Sequence, residues 1–253
     1  MIGESIEFTG YYSASVHKNT WTDWHLVTLT KLLVAPPPFK SNYVNVDGMT
    51  GELDLSDTNG LNYANRRGSW AFKLLPQYDF DTIRSEVIDF LHGGVFDVTI
   101  STDIDECYYH GRITVTDWKH TEQGGYITLS YNFEPFRYDP STEVNRTINL
   151  TSNNKTSSIS IQLTRMPVVP YIKVNSINGD LKIYYYRCTS NSTVAYRQAK
   201  TVNYAGIVDT SDMVMFLAPS GAGGSIQRSG VMEIEFEATT SANITFEYMG
   251  GRF

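Results

Sequence analysis

The side chains best suited by type to chemistry lie in two acidic stretches and one arginine motif. Asp57, Asn59 and Gly60 imitate the middle of a calcium-binding loop, where oxygen ligands alternate along a turn sharpened by glycine. That frame puts Leu55 at the first ligand position and Arg66 at the twelfth, where calcium needs carboxylates, so a pair of β-turns is the better reading. Asp103, Asp105, Glu106 and Cys107 form a second acidic knot. No other cluster has a spacing that would complete a metal site with them, and they read as a strand-connecting turn with solvated charges. His17, His25, His92, His110 and His120 are scattered, without a zinc-type HExxH or a pair at helical spacing. The chain has no Gly-x-Ser-x-Gly elbow, and "PSGAGGS" at residues 219–225 lacks the lysine and following helix of a phosphate loop. Paired carboxylates could serve glycoside hydrolysis, but the sequence gives no pocket in which to place them. The expectation is a protein without catalytic residues, metal or cofactor.

Those residues must be positioned mostly by strands. Ile127, Leu129, Tyr131 and Phe133 alternate with polar neighbours, as do Ile159, Ile161 and Leu163. In VMEIEFEA, Met232, Ile234 and Phe236 point one way and Glu233, Glu235 and Glu237 the other. Period-2 alternation of this kind marks antiparallel strands with one solvated face. One helix is expected over about 81–92: Asp81 can cap it, Ile83, Val87, Phe90 and Leu91 share a stripe that must dock on a sheet, and Gly93 supplies a left-handed stop.

With 253 residues, 41% apolar residues and a net charge of −7, the chain can bury one large core or two smaller ones. Residues 139–158, rich in Pro, Ser, Thr and Asn, read as a polar linker, with the domain break near Pro140. The two halves differ in charge: residues 1–140 hold 10 Lys/Arg against 19 Asp/Glu, net −9, and residues 141–253 hold 10 against 8, net +2. All four tryptophans lie in the first half. The acidic balance argues against a protein that grips nucleic acid through phosphate contacts. The first residues have none of the charge and hydropathy pattern of an export signal, and the run at residues 32–39, broken by Pro36, Pro37 and Pro38, is too short to span a bilayer. A soluble chain with Cys107 and Cys188 as reduced thiols is expected. Tyr184, Tyr185 and Tyr186 could offer a stacking face for sugars, though alternation turns Tyr185 towards the core.

The order "NTWTDWHLVTLTKLLVAPPPFKSNYVNVDGMTGELDLSDTNGLNYANRRGSWAF", a short helix ending in "FLHGG", "YYHGRITVTDW" and "YITLSYNFEPFRYDP" resembles the distal tail protein (Dit) family of long-tailed siphovirus phages of Gram-positive hosts, of the Bacillus SPP1 type. The match spans about residues 19–140. Its most specific part is Gly48, Gly51, Leu53, Asp54 and Leu55 followed by Tyr63, Asn65 and Arg66.

The resemblance implies a mainly β protein of two β-sandwich domains. The first, residues 1–140, is tail-tube-like, carries the docked helix and builds a ring; the second, residues 141–253, is galectin-like. It further implies a structural hub in the virion at the distal end of the tail, assembled in the host cytoplasm: a hexameric ring, single or stacked, joining the major tail tube protein and the tape-measure protein to the tail tip protein. DNA would pass through its channel without specific binding, and no membrane insertion is implied. The motif residues become scaffold or inter-subunit contacts: the glycines permit tight turns, Asp54 can cap one, and Arg66 offers a planar fork of donors. The alternative function is a lectin-like tail protein that binds host cell-wall carbohydrate.

Overall fold

A computed structural model of the chain describes residues 4–11, 13–41, 43–45, 52–54, 63–103, 106–164, 166, 168–187, 196–213 and 231–252. The chain divides into two compact units, one of residues 1–41 and 62–138 with residue 253, the other of residues 42–61 and 139–252. Both are built of antiparallel strands, and the protein is mainly β.

In chain order the first unit contains β1 (Ile6–Gly10), β2 (Ser13–Asn19) and β3 (Leu26–Thr28). Two short strands, β4 (Tyr43–Asn45) and β5 (Glu52–Asp54), pair with each other and group with the second unit. The first unit resumes with β6 (Arg66–Leu74), α1 (Phe80–Leu91), β7 (Val95–Ile100), β8 (Tyr108–Thr121) and β9 (Gly124–Tyr138), and its sheet runs β2-β1-β7-β8-β9-β6-β3. The alternation read in β9 is its burial pattern: Ile127, Leu129, Tyr131 and Phe133 are buried, while Thr128, Ser130 and Asn132 are not. Those side chains pack with Phe8, Trp24, Trp70, Phe72 and Phe96 into one aromatic-rich core.

The helix closes this core as expected, with Val87 and Leu91 buried and Ile83 and Phe90 packed against it. Its start differs from the expectation. Asp79, not Asp81, is the N-cap: it holds an extended conformation, and its carboxylate accepts from the Asp81 amide and, at 2.6 Å, from the Thr82 hydroxyl. Asp81 then lies in the first turn, where a negative charge favours the helix dipole. Gly93 takes φ +80°, the left-handed stop after the helix. The first helical residue, Phe80, lies over the β8–β9 hairpin, so close to Gly125 that a Cβ there would meet its ring at 1.9 Å.

In the second unit, residues 139–158 are not a linker. Asp139 caps a short 3-10 turn (Pro140–Thr142), β10 (Val144–Leu150) follows, and β11 (Thr156–Gln162) begins directly after a tight turn. The segment looks polar because β10 buries Ile148 and Leu150, packs only Val144 besides them against the core and keeps its other face in solvent. The remaining strands are β12 (Tyr171–Asn178), β13 (Leu181–Arg187), β14 (Tyr196–Val202), β15 (Gly206–Ile207), β16 (Val231–Ala238), β17 (Ser241–Tyr248) and the short β18 (Gly251–Arg252). Two four-stranded sheets, β10-β17-β12-β15 and β11-β16-β13-β14, share one largely aliphatic core, which makes the unit a β-sandwich. In β16, Met232, Ile234 and Phe236 are buried and the three glutamates face out, as the alternation requires. No described helix is long and apolar enough to cross a membrane.

Candidate functional site

The Tyr63–Arg66 half of the motif lies within the described residues, and its clear local role is to fasten residues 32–39 to the sheet. This segment is neither helix nor strand, and three consecutive prolines deny it amide donors, so its carbonyls must be met by donors from elsewhere. Arg66, the first residue of β6, does most of this. Its Nη1 donates to the Ala35 carbonyl at 3.2 Å and its Nε to the Pro135 carbonyl of β9 at 2.9 Å, so one planar group ties the segment to the sheet. The Ala64 amide donates to the Pro38 carbonyl at 2.8 Å, and Tyr63 forms a β-bridge with Phe39. The Tyr63 ring sits between those of Phe39 and Phe136, at 5.4 and 5.8 Å. Further along, the Trp70 indole donates to the Leu33 carbonyl at 3.1 Å, and the Leu32 amide donates to Glu4 at 2.7 Å.

Arg66 is only 3% exposed. Burial lowers its pKa from the usual arginine value, and the nearby Tyr109 ring and Asp103 carboxylate oppose that shift. The guanidinium stands 5.5 Å from the Tyr109 ring centre. Tyr109 hydrogen-bonds to Asp103, and Asp103 pairs with Arg137 at 3.6 Å. Burial, then the Asp103 charge, push the Tyr109 hydroxyl up to about 12. Asp103, read from sequence as a solvated turn charge, is therefore partly buried in a cationic cluster. The signal that could have placed it was the Phe-Arg-Tyr ending of β9, which puts Arg137 at the same end of the sheet as Tyr109, its partner across the β8–β9 ladder.

Asn65 donates to the Asn132 side chain at 3.1 Å on the surface. Leu53 and Asp54 lie in β5, with only their backbone described. Gly48, Gly51 and Leu55, like Asp57, Asn59, Gly60 and Asp105, lie outside the described residues. The structure thus brings Tyr63, Asn65 and Arg66 together, and their neighbours are the proline segment and β9.

Fastening the carbonyls inward leaves apolar side chains outside. Leu29, Leu33 and Phe39 are all exposed, Leu33 by 64%. Because the backbone that carries them is pinned, the ordering cost of these exposed side chains is met before any partner arrives.

In the second unit, Tyr185 is buried and its hydroxyl donates to Asp212 at 2.6 Å; the Tyr184 hydroxyl bonds Glu237 at 2.7 Å. That strand is committed to the sandwich. A shallow depression of about 200 Å³ lies on the opposite sheet, where Asn145, Glu247 and Tyr171 stand in register across β10, β17 and β12. Among the described residues no three His, Cys, Asp or Glu side chains converge as a metal site.

The fold and the contacts of Tyr63 and Arg66 define a class: a mainly β, two-unit protein whose first unit immobilises an irregular apolar segment at the edge of its sheet. No protein-family model and no curated protein matches the chain. Among solved structures it has the fold of the SPP1 Dit (gp 19.1) protein, described as a paradigm of hub adsorption apparatus in phages infecting Gram-positive hosts. The superposition gives a TM-score of 0.52 at 12% identity and covers 97% of this chain and 98% of that one.

Proposed function

We propose that the chain is a structural hub subunit of a phage tail tip, forming a six-membered ring that joins the tail tube and tape-measure side to the adsorption apparatus and lets DNA pass through its channel. The observation that supports this most is the end-to-end correspondence of fold with a hub protein, both units included. The pinned segment of the first unit, with Leu33 and Phe39 exposed on it, supports it from the residues upward, because a scaffold needs surfaces ordered before assembly. In this reading Arg66 serves the ring indirectly, by holding residues 32–39 in place, and Gly48, Gly51, Leu53, Asp54 and Leu55 contribute through the segment that follows. Native mass spectrometry of the purified protein tests it: six chains of 28.5 kDa give about 171 kDa, and stacked rings twice that. A species that stays monomeric at high concentration removes the ring.

A second reading, carbohydrate binding by the galectin-like second unit, is favoured by one observation, the depression with exposed Tyr171 beside Asn145 and Glu247. An aromatic face next to an amide and a carboxylate suits a neutral sugar and repels polyphosphate polymers. Titration with soluble cell-wall glycan fragments, against a Tyr171→Ala control, separates it from the purely structural role.

A further inference from the structure

The depression on the β10-β17-β12-β15 sheet gathers chemistry that the rest of that face keeps apart. Asn149, Asn243, Thr245 and Asn175 hydrogen-bond to one another along the sheet. One row beyond Thr245, Asn145, Glu247 and Tyr171 stand in register, and there neither the Asn145 amide nor the Glu247 carboxylate has a side-chain hydrogen bond or ion pair among the described residues. The same hollow is lined by apolar groups: Val144 and Val168 pack on the core, Val169 is 45% exposed and Met249 is half-buried. Glu143 adds a second carboxylate, and among the described residues no lysine or arginine lines the depression. Lys173 stands in the next row, opposite Thr245 and Ile207, and Arg146 shares the register of buried Phe246 on the other side of β10. Neighbouring strands lie about 5 Å apart, so Asn145 and Tyr171 flank a space about 10 Å wide, enough for one pyranose ring to lie across Glu247.

We infer that the depression takes an N-acetylated hexosamine, a neutral pyranose that the site reads through its acetamido group as well as its hydroxyls. This rests on the carbohydrate reading of the second unit and names the class of sugar. A plain hexose can stack on Tyr171 and donate hydroxyls to the two carboxylates, but it leaves Val169 and Met249 wet. A sugar bearing an ammonium group meets the carboxylates and leaves the same apolar surface bare. A sugar bearing a carboxylate or phosphate is repelled by Glu143 and Glu247, with no lining cation to offset them. The acetamido group answers every part of the lining: its N–H donates to a carboxylate, its carbonyl accepts from Asn145 Nδ2, and its methyl covers the valine and methionine side chains.

Cellotriose, its triamino counterpart and its tri-N-acetyl counterpart share one backbone and differ only in a hydroxyl, ammonium or acetamido substituent, so calorimetric titration of the full chain with each isolates that group. The acetamido trisaccharide is expected to bind about tenfold more tightly than cellotriose, from one buried methyl and the added amide hydrogen bonds. Saturation transfer from the protein should fall most strongly on its acetyl methyl. Val169→Ser, an exposed substitution, should narrow the preference and leave cellotriose unchanged, and an unchanged preference counts against the apolar contact. Equal affinity for the three, or a preference for either of the others, overturns the inference and leaves the carbohydrate reading standing. Binding of none of them removes both. Acetamido binding that survives Tyr171→Ala puts the sugar elsewhere on the molecule and overturns the site.

Discussion

The two units solve the same problem, holding irregular backbone against a sheet, with different chemistry. The first buries a guanidinium: Arg66 reaches two chain segments at once and sits among Tyr109, Asp103 and Arg137. The second uses hydroxyls. Thr142 accepts from the Gly250 amide at 2.9 Å, Thr164 from the Gly251 amide at 3.0 Å, and Thr210 donates to the Pro170 carbonyl at 2.7 Å. A hydroxyl is cheap to desolvate and satisfies one neighbour. A guanidinium is costly to desolvate and spans several, so it fits where a proline-rich segment offers carbonyls and few amides. The cores follow suit: aromatic around Trp24, Trp70 and Phe133 in the first unit, mostly Ile, Val and Leu in the second.

The contrast breaks most visibly at Arg66. Arg66→Ala strands the Ala35 and Pro135 carbonyls, each costing about 1–3 kcal/mol when buried without a donor, so a loss of about 2–5 kcal/mol is expected. Arg66→Lys keeps the charge but loses the fork, and should recover little of that loss. Chemical denaturation measures the loss, and hydrogen exchange should locate early opening at residues 32–34, where amides exist to report it. A loss below about 1 kcal/mol would show that the segment is held by packing alone.

Alkali sharpens the same point. The folded state holds the Tyr109 pKa at about 12, above the usual value near 10, so the neutral hydroxyl's contribution is complete below pH 10 and is lost as pH rises towards 12. Tyr248 in the second unit is also raised by burial, but no carboxylate adds to its shift. A pH titration followed by tyrosinate absorbance and near-ultraviolet dichroism should show stability falling across that window, less steeply in Tyr109→Phe. Identical slopes in the two proteins would remove Tyr109 from the account.

Thr164→Val is the matching change in the second unit. It keeps shape and removes the acceptor for the Gly251 amide, a buried donor that then costs about 1–3 kcal/mol. Equilibrium unfolding should place it below Arg66→Ala, and a larger loss would reverse the ranking of the two devices.

How much of this the sequence shows depends on the period of the signal. Strict alternation is local, so β9, β11 and β16 and the inward turn of Tyr185 could be read directly, as could the apolar stripe of α1. The helix cap was misplaced by two residues because Asp79 and Asp81 are both good caps, and the choice falls to the one whose backbone is extended. Residues 139–158 misled for a different reason: an edge strand with one wet face carries few apolar residues, and composition alone makes it look like a linker. Tyr63, Asn65 and Arg66 could be picked out as a motif, but Arg66's partners, Ala35 and Pro135, are 31 and 69 residues away, and no local pattern encodes a bond of that span.

The smallest effect is expected on the outer face of the second unit. Asn175 lies in a bulge of β12 and donates at 2.7 Å to Asn243 and at 2.9 Å to Thr245, while Asn243 in turn donates to Asn149. Three amides and a hydroxyl in a row look like a structural ladder, yet Asn175 is exposed, so water can replace every bond that Asn175→Ala removes. A change within about 0.5 kcal/mol is therefore expected in thermal or urea unfolding. The same face continues through the Thr147, Thr245 and Lys173 row to Asn145, Glu247 and Tyr171, the row of the candidate sugar site. A neutral substitution means that these polar groups are not needed to hold the sandwich and are available to a ligand. A loss above about 1.5 kcal/mol would instead make the ladder part of the scaffold, extend the polar fastening of the first unit into the second, and weaken the sugar-binding reading.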